Sequence, residues 1–421
     1  MLDIRLIREN AADVKTRLAR RSPEWPAEID AALALDTQRR DAETRLQNLQ
    51  AERNRLSKEI GKLRAARQDS AALEAQVKSA SEEMARLAAQ ADELAAQQRD
   101  RLLRIPNLPD PSVPEGRDAA DNPVLRTWGD KPAIEAPKDH VAIAEALGIL
   151  DPERAAKISG SGFACFVGEG ARLERALINF LLDLHTREHG YTEVSPPFLV
   201  RRECMVGTSQ LPKFEDDMYA VDDLFLAPTA EVPVTNLRRD ELLPAADLPI
   251  DYVAYTPCFR REAGSAGRDT RGLIRMHQFD KVELVKITAP EESAAALETL
   301  TAHAETALQR LGLHYRTITL CTGDMGFGAA KTYDIEVWAP GQAAYIEVSS
   351  CTNFGDYQAR RMNLRYKDAS GKNQFCHTLN GSGTALPRLY VALLETGLQP
   401  DGTVRLPDAL VPYFGKIGVR R

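Results

Sequence analysis

Residues 255 to 283 read YTPCFRREAGSAGRDTRGLIRMHQFDKVE, and the reading of the whole chain turns on them. Tyr255 to Phe259 and His277 to Val285 hold β-favouring residues, while 263–272 between them carries three glycines and no apolar run. The pattern predicts a strand, a glycine-rich turn and a returning strand. Residues two apart share a face of a pleated strand, so Arg260 points with Glu262, and His277 with Phe279, Lys281 and Glu283. One face then gathers a guanidinium, carboxylates and an aromatic ring. Such a face suits a nucleotide: Arg260 can fork onto a phosphate, Glu262 can accept from an adenine amino group, and Phe279 offers a stacking surface. An ordinary hairpin with a salt-bridged solvent face is the other reading these residues leave open.

FRREAGSAGRDTRG followed by RMHQFDKVE resembles motif 2 of the class II aminoacyl-tRNA synthetases, in the version of the seryl family. GYTEVSPPFLV (190–200), LAPTAEVPVTN (226–236) and LNGSGTALPRLYVALLETG (379–397) resemble the same family in its order. The resemblance runs the length of the chain. It implies an α+β fold: an N-terminal antiparallel two-helix coiled-coil arm, and a catalytic domain on a mainly antiparallel sheet flanked by helices. It also implies activation of L-serine by ATP and transfer to tRNA(Ser), with tRNA(Sec) a further substrate where present.

Carried onto matching positions, the resemblance implies Arg260 and Arg388 as catalytic arginines. It implies Thr229, Ala230, Glu231, Arg260, Glu283 and Ser382 around serine. Around ATP it implies Arg260, Arg261, Glu262, Met276, Phe279, Glu347, Val348, Ser349, Ser350 and Arg388. Glu347 and Ser350 resemble the family's ligands for the Mg²⁺ that bridges the phosphates, and their oxygens suit that hard cation. The residue chemistry agrees. Thr229 and Glu231 offer the acceptors an ammonium needs. Glu283 can accept from the serine hydroxyl, which rejects alanine, whereas threonine must be excluded by shape, an extra methyl being worth only about 1–3 kcal/mol.

Residues 333–350 read as a hairpin turning at Pro340-Gly341. A spacing of three puts Glu347 and Ser350 on opposite faces of a regular strand, so a bulge or strand end near Ser349 is required. Asn380-Gly-Ser-Gly383 leads into a helix beginning near Pro387, its glycines expected to let backbone approach a ligand closely. Pro387 departs from the smaller residue many relatives carry there, which leaves Ser382 less secure than Glu283.

Outward from this centre, residues 27–104 shift to Ala, Leu, Gln, Glu and Arg, without proline or aromatic residues. Positions 35, 39, 42, 46, 49, 53, 56, 60 and 63 follow heptad spacing, as do Leu73, Val77, Ala80, Met84, Leu87, Ala91 and Leu94. Arg67 to Ser70 offers a turn and an N-cap, so two facing helices form an antiparallel hairpin. Arg53, Arg55, Lys58, Lys62, Arg64 and Arg67 stand against the single acid Glu59. A solvated coiled-coil surface or dimerisation arm is one reading and a basic finger for an RNA backbone the other; the resemblance implies the second, on the long variable arm of the cognate tRNA. The proline-rich stretch 105–118 reads as a semi-rigid linker between an arm domain (1–104) and a catalytic domain (119–421).

Residues 136–158 and 171–189 read as helices, the second with too wide an apolar stripe for a solvated surface helix. Tyr191 to Val200 reads as a strand, with Pro196 and Pro197 marking a sheet edge or an interface. This resembles motif 1, Pro197 being its proline, and implies a homodimer; a helix packed on a sheet of its own chain is the alternative. At 421 residues and 43% hydrophobic, the chain supports one large domain and an accessory one. No apolar stretch of eighteen residues exists to span a membrane, and the N-terminus lacks a signal-peptide centre, so a cytoplasmic protein without a membrane partner is expected. The six cysteines are scattered, without zinc-ligand spacing, so buried thiols and no zinc are expected. A net charge of −7 requires any RNA contact to be local. A synthetase relative that loads a carrier protein would lack the arm, and an RNA-binding protein with a dead synthetase domain would be expected to have lost Arg260, Glu283 or Arg388.

Overall fold

Heptad spacing closes the N-terminal unit as expected. The computed structural model describes residues 1–263 and 272–420 and divides the chain into two compact units, Met1–Pro106 and Asn107–Arg421. The first holds α1 (Ile4–Glu9), α2 (Ala11–Ala19), α3 (Trp25–Ala65) and α4 (Ala71–Leu103). At about 1.5 Å per residue α3 is on the order of 60 Å long. Every position of both seams is buried or half-buried, and Ala42, Leu87 and Ala91 form a shared core with Leu46 and Leu49. Asp36, also buried, is held by Arg8 (2.7 Å), Arg39 (3.2 Å) and Gln98 (3.2 Å). Asp69, rather than Ser70, caps α4, its Oδ1 accepting from the Ala71 N–H at 2.9 Å. The Ser70 hydroxyl is drawn instead to Glu74.

The second unit is built on an eight-stranded sheet. Its strands are β1 (Val124–Trp128), β2 (Thr192–Glu193), β3 (Ile250–Phe259), β4 (Gln278–Thr288), β5 (Tyr315–Thr319), β6 (Lys331–Ala339), β7 (Ala344–Asn353) and β8 (His377–Ala385). Their order is β1-β5-β6-β7-β8-β4-β3-β2, antiparallel throughout except for β2 on β3. Around it lie α5 (His140–Leu147), α6 (Pro152–Ser159), α7 (Glu169–Arg187), α8 (Ser293–Arg310) and α9 (Leu386–Gly397). Leucines of α7, α8 and α9 join Val282, Leu284, Val337 and Val348 of the sheet in the main core.

Four expectations shift. The helix expected over 136–158 is two, because Gly148 takes a left-handed conformation (φ 66°) and ends α5. Only Thr192–Glu193 and Leu199–Arg201 of the 191–200 stretch are strand, since Pro196 and Pro197 have no N–H to pair; β2 does lie at the sheet edge. The proline-rich stretch is packed from Asn107 on, the Asn107 amide donating to Gly328 O (3.0 Å) and Phe354 O (2.8 Å). Cys165 and Cys204 are only partly buried, while the other four free cysteines are buried. The turn expected over 263–272 falls mostly on 264–271, outside the described residues. Among the described residues, no helix is long and apolar enough to cross a membrane, and no group of three or more His, Cys, Asp or Glu could hold a metal.

Candidate active site

Alternation along β4 aims Val282 and Leu284 at the helices and turns Phe279, Lys281 and Glu283 to the opposite face. There they line a cleft of two adjoining compartments, about 300 Å³ and about 100 Å³, which share Arg260, Lys281, Glu347 and Ser382. The larger is also walled by Gln210, Thr229, Glu231, Glu283, Ser350 and Asn380. The smaller is walled by Glu262, Ile274, Met276, Phe279, Pro387 and Arg388.

Arg260 lies just past β3. Its N–H donates to His277 O (2.9 Å) and its Nε to Pro228 O (3.2 Å), which sets its guanidinium 5.2 Å from the Phe279 ring centre. Glu262 reaches the same compartment by a different route from the pleat expected, because its backbone is left-handed (φ 50°) and Arg275 holds its carboxylate at 2.6 Å. His277 is not on the cleft face with Phe279, Lys281 and Glu283. It precedes the strand and packs on Phe163 at 5.3 Å.

At the opposite end, Lys281 is buried with Nζ 2.7 Å from Glu283 Oε2 and donating to Thr229 Oγ1 at 2.8 Å. The Ser382 hydroxyl donates to Glu283 at 3.4 Å. Glu231 accepts from Gln358 Nε2 at 2.6 Å; burial, and then the Glu283 charge, push its carboxyl up to about 7. Ala230 lies beneath, in an apolar core with Val285. Sequence reasoning assigned no role to Lys281, although alternation set it between Phe279 and Glu283. Asn380 was read only as the start of a glycine-containing turn, and Gln358 gave no local signal at all.

The required bulge is present. Ile335 pairs with Ser349 and Glu336 with Glu347, so Val348 is the extra residue, and Glu347 and Ser350 both line the cleft. The side chains of Val348 and Ser349 do not reach it. Val348 belongs to the main core, and the Ser349 hydroxyl donates to Ser382 O at 2.6 Å. Arg261 is also directed elsewhere, into a cavity of about 1200 Å³ with Arg201, Arg202 and Glu215.

Arg388, in the first turn of α9, donates to Glu347 O (2.9 Å) and to Ile274 O (3.3 Å). The glycines before it do not open a path to a ligand. They lie within β8, where a Cβ on Gly381 would stand 2.8 Å from Cys351 Sγ and one on Gly383 3.0 Å from His185 Nε2. Close packing against the neighbouring strand at Gly381 and against α7 at Gly383 is what requires them. The cleft thus pairs carboxylates, hydroxyls and a lysine at one end with two arginines and an aromatic ring at the other, which suits joining a small zwitterion to a nucleotide.

Residues 1–109 match the family model of the seryl-tRNA synthetase N-terminal domain, and residues 213–397 that of the tRNA synthetase class II core domain (G, H, P, S and T). The serine–tRNA ligase of Akkermansia muciniphila is 62% identical, covering 100% of this chain and 99% of that protein. The crystal structure of seryl-tRNA synthetase from Pyrococcus horikoshii complexed with ATP superposes with a TM-score of 0.95 at 40% identity, covering 100% of this chain and 99% of that one. That of cytoplasmic serine–tRNA ligase from Naegleria fowleri in complex with AMP gives 0.90 at 27% identity, with the same coverage.

Proposed function

The chain belongs to the seryl-tRNA synthetase family, and from that membership we propose that it activates L-serine with ATP to seryl-adenylate and pyrophosphate, then transfers serine to the 3′ end of tRNA(Ser), and of tRNA(Sec) where that species exists. The observation that carries this reading is the shared wall of the cleft. Arg260 borders both the carboxylate end, suited to serine, and the recess of Phe279 and Arg388, suited to a nucleotide.

Thr229, Glu231 and the Ala230 backbone receive the serine ammonium; Glu283 and Ser382 receive its hydroxyl. Adenine stacks on Phe279 beside Met276 and donates its amino group to Glu262. Arg261, Val348 and Ser349 take part through backbone groups, since their side chains point elsewhere. Asp334, opposite Ser350, keeps an Oδ1 without a hydrogen-bond partner among the described residues. Burial, then the Glu347 charge, push its carboxyl well above the usual range. Two carboxyls crowded together, one with an oxygen left unbonded, fit a hard cation that would let both ionise, so Glu347 and Ser350 would hold Mg²⁺, which would supply neutralisation of phosphate charge.

In the first step a serine carboxylate oxygen bonds to the α-phosphorus while the bond from that phosphorus to the bridging oxygen breaks. Arg260 stabilises the charge gathering on the α-phosphate, and Arg388 holds the leaving pyrophosphate. Catalysis is by positioning and electrostatics, with no side chain covalently attached. In the second step a ribose hydroxyl of the tRNA end attacks the seryl carbonyl and AMP leaves.

Residues 1–104 serve as the tRNA-binding arm domain and 119–421 as the catalytic domain, with 105–118 joining them and packed on the second unit from Asn107 on. Arg55, Lys58, Lys62, Arg64 and Arg67 are exposed and Arg53 half-buried. Arg64 is tied to Glu74 at 2.9 Å, a surface pair weak enough for a phosphate to displace. Exposed Phe198 and Leu199, beside Pro197, leave apolar surface for a second copy in a homodimer, and the cytoplasm is the working compartment. The test is exchange of labelled pyrophosphate into ATP. Exchange that requires serine is expected; none with serine, or as much with alanine, overturns the reading.

A further inference from the structure

Building on that reading of the cleft, we propose that His140 is a positioning residue for the nucleotide compartment, holding the returning end of the 255–283 hairpin through the Leu273 N–H. His140 opens α5 and is buried, with its ring between α9 and the hairpin. On the α9 side is Glu395, fully covered. Its Oε1 accepts from the His140 N–H (3.0 Å) and Gln342 Nε2 (3.0 Å), and its Oε2 from the Gly341 N–H (2.9 Å). His140 Nδ1 stands 3.2 Å from the same Oε1. A carboxylate set among donors takes the proton of Nδ1 as a further donor, which leaves Nε2 as the acceptor. There the Leu273 N–H donates at 3.1 Å. Both partners of the ring require the same tautomer.

Gly272 shows independently that the approach is built in. Its backbone is left-handed (φ 73°), and a Cβ there would fall 2.1 Å from His140 Nε2, so the chain reaches this ring only as glycine. The residues that follow are site walls. Ile274 O accepts from Arg388 Nε (3.3 Å), Arg275 pairs with Glu262 (2.6 Å) and Met276 lines the smaller compartment. Arg388 and Glu395 lie about two turns apart on α9. The helix that carries Arg388 therefore also holds, through Glu395 and His140, the backbone that Arg388 touches. Thr229 and Glu231 stand on another segment, and Glu283, though further along the same hairpin, is fixed inside β4 by its pairing with β3 and β8.

Two substitutions separate the two bonds of the ring. His140→Gln sets an amide oxygen where Nε2 was and keeps an acceptor for Leu273; His140→Asn keeps only a donor for Glu395. In serine-dependent pyrophosphate exchange, His140→Asn is expected to raise the KM for ATP about tenfold while the KM for serine stays within about twofold, and His140→Gln is expected to stay near wild type. Gly272→Ala, which crowds the same contact while leaving His140 in place, is expected to follow His140→Asn. ATP affinity measured by calorimetry without serine carries the same prediction, and melting temperatures report whether each variant folds. An Asn variant equal to or better than Gln, or KM values for ATP and serine rising together, overturns the positioning role. Wild-type enzyme that binds ATP but shows no exchange with serine would sink the functional reading and leave the calorimetric test of His140 standing.

Discussion

In the proposed function the choice of amino acid rests on Glu283, and its environment makes two predictions sharp. Its carboxylate is buried and already meets Lys281 at 2.7 Å and the Ser382 hydroxyl at 3.4 Å. Glu283→Gln keeps the shape but not the charge. Serine kcat/KM is expected to fall by about tenfold to a hundredfold, and preference over alanine to narrow, in exchange assays with both amino acids. Glu283→Ala also leaves Lys281 buried without its partner, a loss of roughly 3–5 kcal/mol in denaturant unfolding. Glu231 adds a pH dependence. Its carboxyl, raised to about 7, is protonated in the empty site below that pH, whereas the unfolded chain releases the proton near the ordinary glutamate value. The folded state therefore binds more protons across this window, and Glu231 lowers stability as pH rises through it. Serine binding runs the other way, since the ammonium needs the carboxylate. The KM for serine should fall as pH rises through about 7, and Glu231→Gln should flatten that part of the profile.

At the scale of elements, the bulge in β7 sets the cleft face of that strand. Val348 is the extra residue that brings Glu347 and Ser350 to one side. Inserting one residue between Ile335 and Glu336 gives Val348 a partner, leaves Glu347 and Ser350 three apart on a regular pleat and turns one of the two away, because successive residues alternate faces. Exchange should be lost while circular dichroism shows the fold retained; full activity in the insertion variant would refute the role given to the bulge. The need for this bulge was legible from a spacing of three, just as the arm was legible from its two seams. Both follow from periodicity, which depends only on near neighbours. Other features lay beyond it. Lys281 takes its second partner from Thr229, 52 residues away, and His140 takes Glu395 from 255 residues away. Glu262 lines the smaller compartment without the pleat its spacing implies, and the glycines of β8 are crowded by Cys351 of the neighbouring strand and by His185 of α7. Packing between distant segments decided each of these.

For the whole molecule, the proposed function divides the labour between the two units, chemistry to one and choice of tRNA to the other. Removing residues 35–95 is expected to leave serine-dependent exchange within about threefold, since the residues that line the cleft all belong to the second unit, and to reduce tRNA charging by orders of magnitude, since phosphate contacts supply much of the affinity for a nucleic acid. Loss of both activities together would contradict that division. The account rests most heavily on the single cleft that brings Arg260, Phe279, Glu283 and Arg388 together. The most direct measurement is a crystal structure with a non-hydrolysable seryl-adenylate analogue. The account predicts adenine on Phe279, the phosphate mimic at Arg260 and the serine hydroxyl on Glu283. An analogue seated in the cavity beside Arg261 and Arg202, or reversed so that its adenine meets Glu283, would contradict it.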